Sequence, residues 1–119
     1  MAHKVSIDYD VENDILFLYK KGIRPKGSID IGPNISVDFA EGGNPVGLEI
    51  IGATKLLTKT CGISVTKTAL AHAKKAALRS EIRDNFIYIY YGVLWAIPKD
   101  HIQKHEARGM IPVPQVAAK

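Results

Sequence analysis

Through the first half of the chain apolar and polar residues take turns, and the alternation predicts strands. Val5, Ile7 and Tyr9 alternate with Ser6, Asp8 and Asp10, the two-residue period of a half-buried strand. Ile15 to Tyr19 is a short apolar run of branched and aromatic residues. The glycines, proline and charges of Lys20 to Ser28 read as a loop. Ile29 and Ile31 flank Asp30, Gly32-Pro33-Asn34 turns the chain, and Ile35, Val37 and Phe39 alternate with Ser36 and Asp38. Ala40 to Pro45 is a second strong turn, after which Val46, Leu48 and Ile50 alternate with Gly47 and Glu49. Residues 4–57 therefore predict an antiparallel β-meander, closed by a short helical turn around Thr54–Thr58.

The texture changes after Ile51. Ser64 to Glu81 predicts the one long helix, with Ser64 or Thr66 as its cap. At helical spacing Thr66, Ala69, Leu70, Ala73, Ala76 and Ala77 share one arc, and Lys67, Lys74, Lys75 and Arg79 lie on the other. An arc built mostly of alanine suits close packing on a sheet. Asp84-Asn85 reads as a turn, and residues 82–98 predict a strand pair, Phe86–Tyr91 and Val93–Ile97, split at Gly92, which is either a hairpin turn or a bulge. Residues 99–119 predict a short helix over 99–107 and an extended tail, because Pro112 and Pro114 bar a regular helix. The expected fold class is α+β: a single domain over 1–119, with an antiparallel meander sheet covered by one long Ala-rich helix and a C-terminal aromatic hairpin.

The length of 119 residues fits one such domain, and a chain of this size buries about two thirds of its unfolded surface without staples. Cys61 is the only cysteine, so no internal disulfide forms, which fits a reducing cytoplasm. No signal segment is read at the start and no apolar run is long enough to span a bilayer, so a cytoplasmic protein without a membrane partner is expected. The net charge of +4 conceals an asymmetry. Residues 1–50 carry five bases against eight acids, a net of −3, and residues 51–119 carry eleven bases against four acids, a net of +7. Oppositely charged halves attract each other within a chain or between subunits, or the basic half meets an anionic partner.

The acidic stretch Asp8, Asp10, Glu12 and Asp14 invites a metal reading, but a calcium loop starting at Asp8 would place Asn13 at the obligatory glycine and Tyr19 at the bidentate glutamate. The stretch is instead the turn of a hairpin. Tyr9, Asp10, Glu12, Asp14 and Leu16, followed by Asp38, Gly43, Gly47, Glu49, Ile50 and Ala53, resemble the domain-of-unknown-function 2283 family over about residues 4–57. In this chain Phe39 and Ala40 replace a more acidic turn. The resemblance implies a small β-rich fold, carries no established activity, and leaves residues 58–119 outside it.

Candidate chemistry is sparse. Asp38 and Glu49 oppose the apolar alternation of their strands and can share a sheet face as a carboxylate pair; a solvated face is the plainer reading. His101 and His105 have zinc-compatible helical spacing but form an incomplete ligand set. No nucleotide, hydrolase or zinc-protease motif occurs, and no cofactor or metal is expected. Lys67, Lys74, Lys75 and Arg79 form the candidate contact for an anion or nucleic acid, although the helix lacks the side chains that read bases. Phe86 to Ile97 holds five of the nine aromatics and leaves a second strand face in need of a cover. The leading expectation is thus a non-catalytic protein acting through protein contacts, as a homo-oligomer with a dimer first. An antitoxin-like or regulatory protein touching a partner protein or nucleic acid is the alternative, and a carboxylate-based enzyme the third.

Overall fold

The computed structural model describes residues 4–96 and 105–114. The alternating first half forms β1 (Val5–Asp10), β2 (Ile15–Lys20), β3 (Gly27–Ile31), β4 (Ile35–Phe39) and β5 (Pro45–Ile51). All pair antiparallel, in the order β1-β2-β5-β4-β3. The expected meander is corrected here. The β3–β4 hairpin lies on the far side of β5, so the last strand of the group occupies the centre. Composition accounts for the place: β5 contributes Val46, Leu48 and Ile50 to the core, and Pro45 and Gly47 are also buried.

The helix expected over 64–81 is overturned. Only α2 (Lys67–Ala71) is helical in that stretch, capped by the Thr66 hydroxyl accepting from the Ala69 amide at 3.1 Å. From Ala73 to Arg83 the chain is a strand, β6, which pairs along its length with β7 (Phe86–Trp95). In that strand Ala76 and Leu78 turn inward and Ala77, Arg79 and Glu81 outward, a period of two hidden among small residues. Helix propensity among ordinary residues is worth only ~0–0.7 kcal/mol each, and the branched and aromatic β7 needs a partner on each side. The Asp84-Asn85 turn supplies one, with Asp84 at φ 53.

Two further expectations are corrected. Gly92 is neither a hairpin turn nor a bulge, because β7 runs straight through it in unbroken register, with Ala77 opposite on one side and Arg108 on the other. The helix expected over 99–107 falls partly outside the described residues, and from His105 the chain is extended as β8 (His105–Pro114). The three strands form a second antiparallel sheet, β6-β7-β8. Among the described residues the structure is therefore mostly β, with two sheets and two short helices, and no long Ala-rich helix covers a sheet.

The helical turn expected at Thr54–Thr58 extends to α1 (Ala53–Cys61). Gly52 and Gly62 flank it at φ 70 and 72, and the Gly62 amide closes the last turn on the Thr58 carbonyl. The inner faces of both sheets and the two helices share one core: Leu16, Leu18, Val37, Leu48 and Ile50 from the first sheet, Ile87, Ile89, Val93 and Trp95 from the second, Leu57 and Leu70 from the helices. Each sheet thus has one face on this core and one turned away from it.

Candidate functional site

The acidic stretch resolves into two structural jobs. Asp10 closes the hairpin turn by accepting from the Asn13 amide at 3.1 Å and its side-chain nitrogen at 2.8 Å. These bonds, aided by Lys67, hold its carboxyl below the usual range. Asp14 sits at φ 55, a conformation aspartate tolerates better than most residues. Its carbonyl accepts from the Gly52 and Ala53 amides at 2.9 and 3.0 Å. Its carboxylate accepts from the Thr54 hydroxyl at 2.7 Å, the Thr54 amide at 3.2 Å and the Tyr9 hydroxyl at 2.6 Å. One residue of the first turn therefore receives the leading amides of α1 and places a negative charge at a helix N-terminus. Burial, then Asp14, pushes the Tyr9 phenol well above its usual value. The arrangement pins α1 to the β1–β2 hairpin.

The outward face of the first sheet reads in rows. Ser6, Tyr19, Gly47, Asp38 and Ser28 lie side by side across the strands, and Asp8, Phe17, Glu49, Ser36 and Asp30 form the next row. Asp10, Ile15 and Ile51 follow. Asp38 and Glu49 do share this face. Asp38 accepts from the Ser28 hydroxyl at 2.5 Å and lies over Gly47, where an added Cβ would come within 2.9 Å of its carboxylate. A shallow cavity of about 270 Å³ is lined by Glu49 and Asp30 with Ser36 between them, and Asp38 is not part of it. These strand positions carry five carboxylates and no base, around a stacked Phe17–Tyr19 pair with centroids 5.0 Å apart.

The outward face of the second sheet has the opposite character. Its rows are Lys75–Leu94–Glu106, Ala77–Gly92–Arg108, Arg79–Tyr90–Met110, Glu81–Tyr88–Pro112 and Arg83–Phe86–Pro114. The Arg79 guanidinium lies 4.3 Å over the Tyr90 ring, and that of Arg83 lies 4.8 Å over Tyr88. Arg83 also donates to the Tyr90 hydroxyl at 2.8 Å and pairs with Glu81 at 3.1 Å. Glu81 first, then Tyr90, raises its already high pKa. Arg108 pairs with Glu106 at 2.5 Å. Gly92 leaves the floor of a cavity of about 250 Å³ between Arg79, Tyr90, Leu94 and Arg108. Phe86 and Met110 are exposed, at 38% and 47%. Four bases face two acids here, so the face is net positive.

Of the four bases singled out in the sequence, Lys75 and Arg79 reach this face. Lys74 lies at the bulge that opens β6, and Lys67 lies on α2 near Asp10. The single arc foreseen for them dissolves with the helix. Arg83, Arg108, Tyr88 and Tyr90 were not foreseen; the alternation of Tyr88 and Tyr90 with Ile87, Ile89 and Tyr91 was the available signal. His105 begins a strand, stacked beside Trp95 at 5.8 Å, so helical spacing to His101, which lies outside the described residues, does not apply. Cys61 donates to the Arg108 carbonyl at 3.3 Å and ties α1 to β8. Among the described residues no group of three or more His, Cys, Asp or Glu is placed to hold a metal ion, and no helix is long and apolar enough to cross a membrane.

An uncharacterised protein of Methanocaldococcus jannaschii is 51% identical over 53 residues, which cover 44% of this chain and 45% of that protein. The chain thus spans less than half the length of that curated relative. No solved structure matches significantly. Tyr9, Asp10 and Asp14, noted above as motif residues, are the ones that build the hairpin turn and the anchor of α1, and Leu16 and Ile50 lie in the core. Residues 6–53, which run from β1 to the first residue of α1, match the model of a family described as a protein of unknown function, DUF2283.

Proposed function

We propose that the protein is a non-catalytic binding protein that works through protein contacts, self-association first, with the outward face of the β6-β7-β8 sheet as its contact surface. The observation that carries this reading is the lattice of Arg79 on Tyr90 and Arg83 on Tyr88 beside exposed Phe86 and Met110. Tyrosine, arginine, phenylalanine and methionine are the residue types enriched at protein interfaces, and lysine, which binding surfaces for nucleic acid favour, occurs only once in these rows. Mutual stacking also preorganises the arginines, so less side-chain freedom remains to be lost on contact. Light scattering across a dilution series tests the reading. The expected result is a mass above the 13.0 kDa of one chain that falls towards it in an Arg79→Ala/Tyr90→Ala variant. A monomer at every micromolar concentration overturns it.

The same face supports a second reading, the antitoxin-like or regulatory one. Exposed aromatics and guanidinium planes on a sheet are a platform on which single-stranded bases stack. Binding of a labelled single-stranded oligonucleotide, weakening steeply with salt and lost in the same double variant, is the result that would favour it.

A further inference from the structure

We propose that the outward face of the five-stranded sheet is the docking surface for the outward face of the three-stranded sheet of a second copy. This rests on the self-association reading and names the partner surface. The two faces are complementary in charge. One carries Asp8, Asp10, Asp30, Asp38 and Glu49 with no base at the strand positions, and the other carries Lys75, Arg79, Arg83 and Arg108 against Glu81 and Glu106. They are complementary in kind as well. Each presents an apolar middle, Ile15, Phe17, Tyr19 and Ile51 on the acidic side, Phe86, Tyr88, Tyr90 and Met110 on the basic side. Ile51 is 41% exposed and Met110 47%.

The charge arrangement sets the symmetry. Two acidic faces repel, as do two basic ones, so a two-fold contact that pairs a face with itself is disfavoured. An acidic face on a basic face is heterologous. It leaves a free basic face at one end of the pair and a free acidic face at the other, and further copies add until a ring closes or a filament grows. Because both faces turn away from the shared core, within one chain they cannot meet. Net attraction between exposed charges is screened over about 10 Å at 0.1 M salt, so assembly weakens as salt rises.

Two variants separate the halves of the contact. Asp8→Lys/Glu49→Lys removes the acidic side and keeps the basic one; Arg79→Glu/Arg108→Glu does the reverse. All four positions face away from the core, and matching thermal melts confirm that both variants fold. Analytical ultracentrifugation at low salt reads the outcome. For the unaltered protein, mass rises with concentration. Each variant alone self-associates at least about tenfold more weakly. An equimolar mixture of the two forms a one-to-one complex that stops at two chains, since each partner brings only one competent face.

If the unaltered protein assembles and the acidic-face variant assembles equally well, the contact runs through the basic faces alone. That overturns the inference and leaves the proposed function standing. A monomeric unaltered protein overturns both. If that monomer binds a labelled single-stranded oligonucleotide, and the Arg79→Glu/Arg108→Glu variant does not, the basic face is a nucleic-acid platform and the docking proposal is replaced.

Discussion

Replacing Asp14 with alanine removes a carboxylate that three groups use at once: the Tyr9 hydroxyl, the Thr54 hydroxyl and the Thr54 amide. Hydrogen bonds to a charged group contribute about 1.5–3 kcal/mol each, but these are half-buried and water replaces part of the loss, so their joint removal costs about 3 kcal/mol. Alanine at φ 55 adds about 1 kcal/mol of backbone strain. The sum of about 4 kcal/mol is a large share of the roughly 6–18 kcal/mol expected for a domain of this length. The midpoint temperature should fall by about 15 °C, at roughly 4 °C per kcal/mol. Asp14→Asn keeps the tolerated backbone and one acceptor, so its loss should be less than half as large. Tyr9→Phe should cost about 1 kcal/mol, and in the Asp14→Ala background it should cost almost nothing, since the hydroxyl has already lost its acceptor. Urea titrations followed by circular dichroism and by Trp95 fluorescence measure all four proteins. If Asp14→Ala loses under about 1 kcal/mol, or if the Tyr9 and Asp14 losses add fully, the anchor of α1 is not built as described.

Gly109 lies opposite Tyr91, and a Cβ there would overlap the buried tyrosine ring. Gly109→Ala should therefore destabilise by about 2–3 kcal/mol in thermal melts, and by much less where Tyr91 is already leucine. Alkaline pH supplies a second check on the same side chain. Burial, with Cys61 adding, pushes the Tyr91 phenol up to about 12, so the folded state favours the neutral ring. That stability is fully present below the unfolded value near 10 and is lost as pH rises from about 10 towards 12. Tyr91→Phe should flatten the decline of stability above pH ~10 without abolishing it, because Tyr9 is shifted in the same direction. Equal pH slopes for the two proteins would show that Tyr91 is not buried as a neutral phenol.

The sequence by itself determined where strands and turns fall in the first half. A strand with one buried face writes its period into consecutive residues, and Val5–Tyr9 or Ile35–Phe39 are legible without any partner. The Asp10 turn is equally local, since its partner Asn13 is three residues away. Tertiary structure decided everything that depends on which residues meet across the chain. The order β1-β2-β5-β4-β3 places the last strand at the centre through pairings no local period encodes. Asp14 finds Thr54 forty residues on, and nothing in the hairpin announces that a helix will dock there. The stretch from Ala73 to Arg83 fits either period, because alanine is small enough to sit on a helix arc or in a strand. Propensity differences of tenths of a kcal/mol per residue could not hold it helical against the ladder offered by Phe86–Trp95. That pairing also created the candidate surface. Arg79 and Arg83 come to lie over Tyr90 and Tyr88 only once β6 is a strand, where every second side chain points away from the core, so the face was hidden from any reading that kept this segment helical.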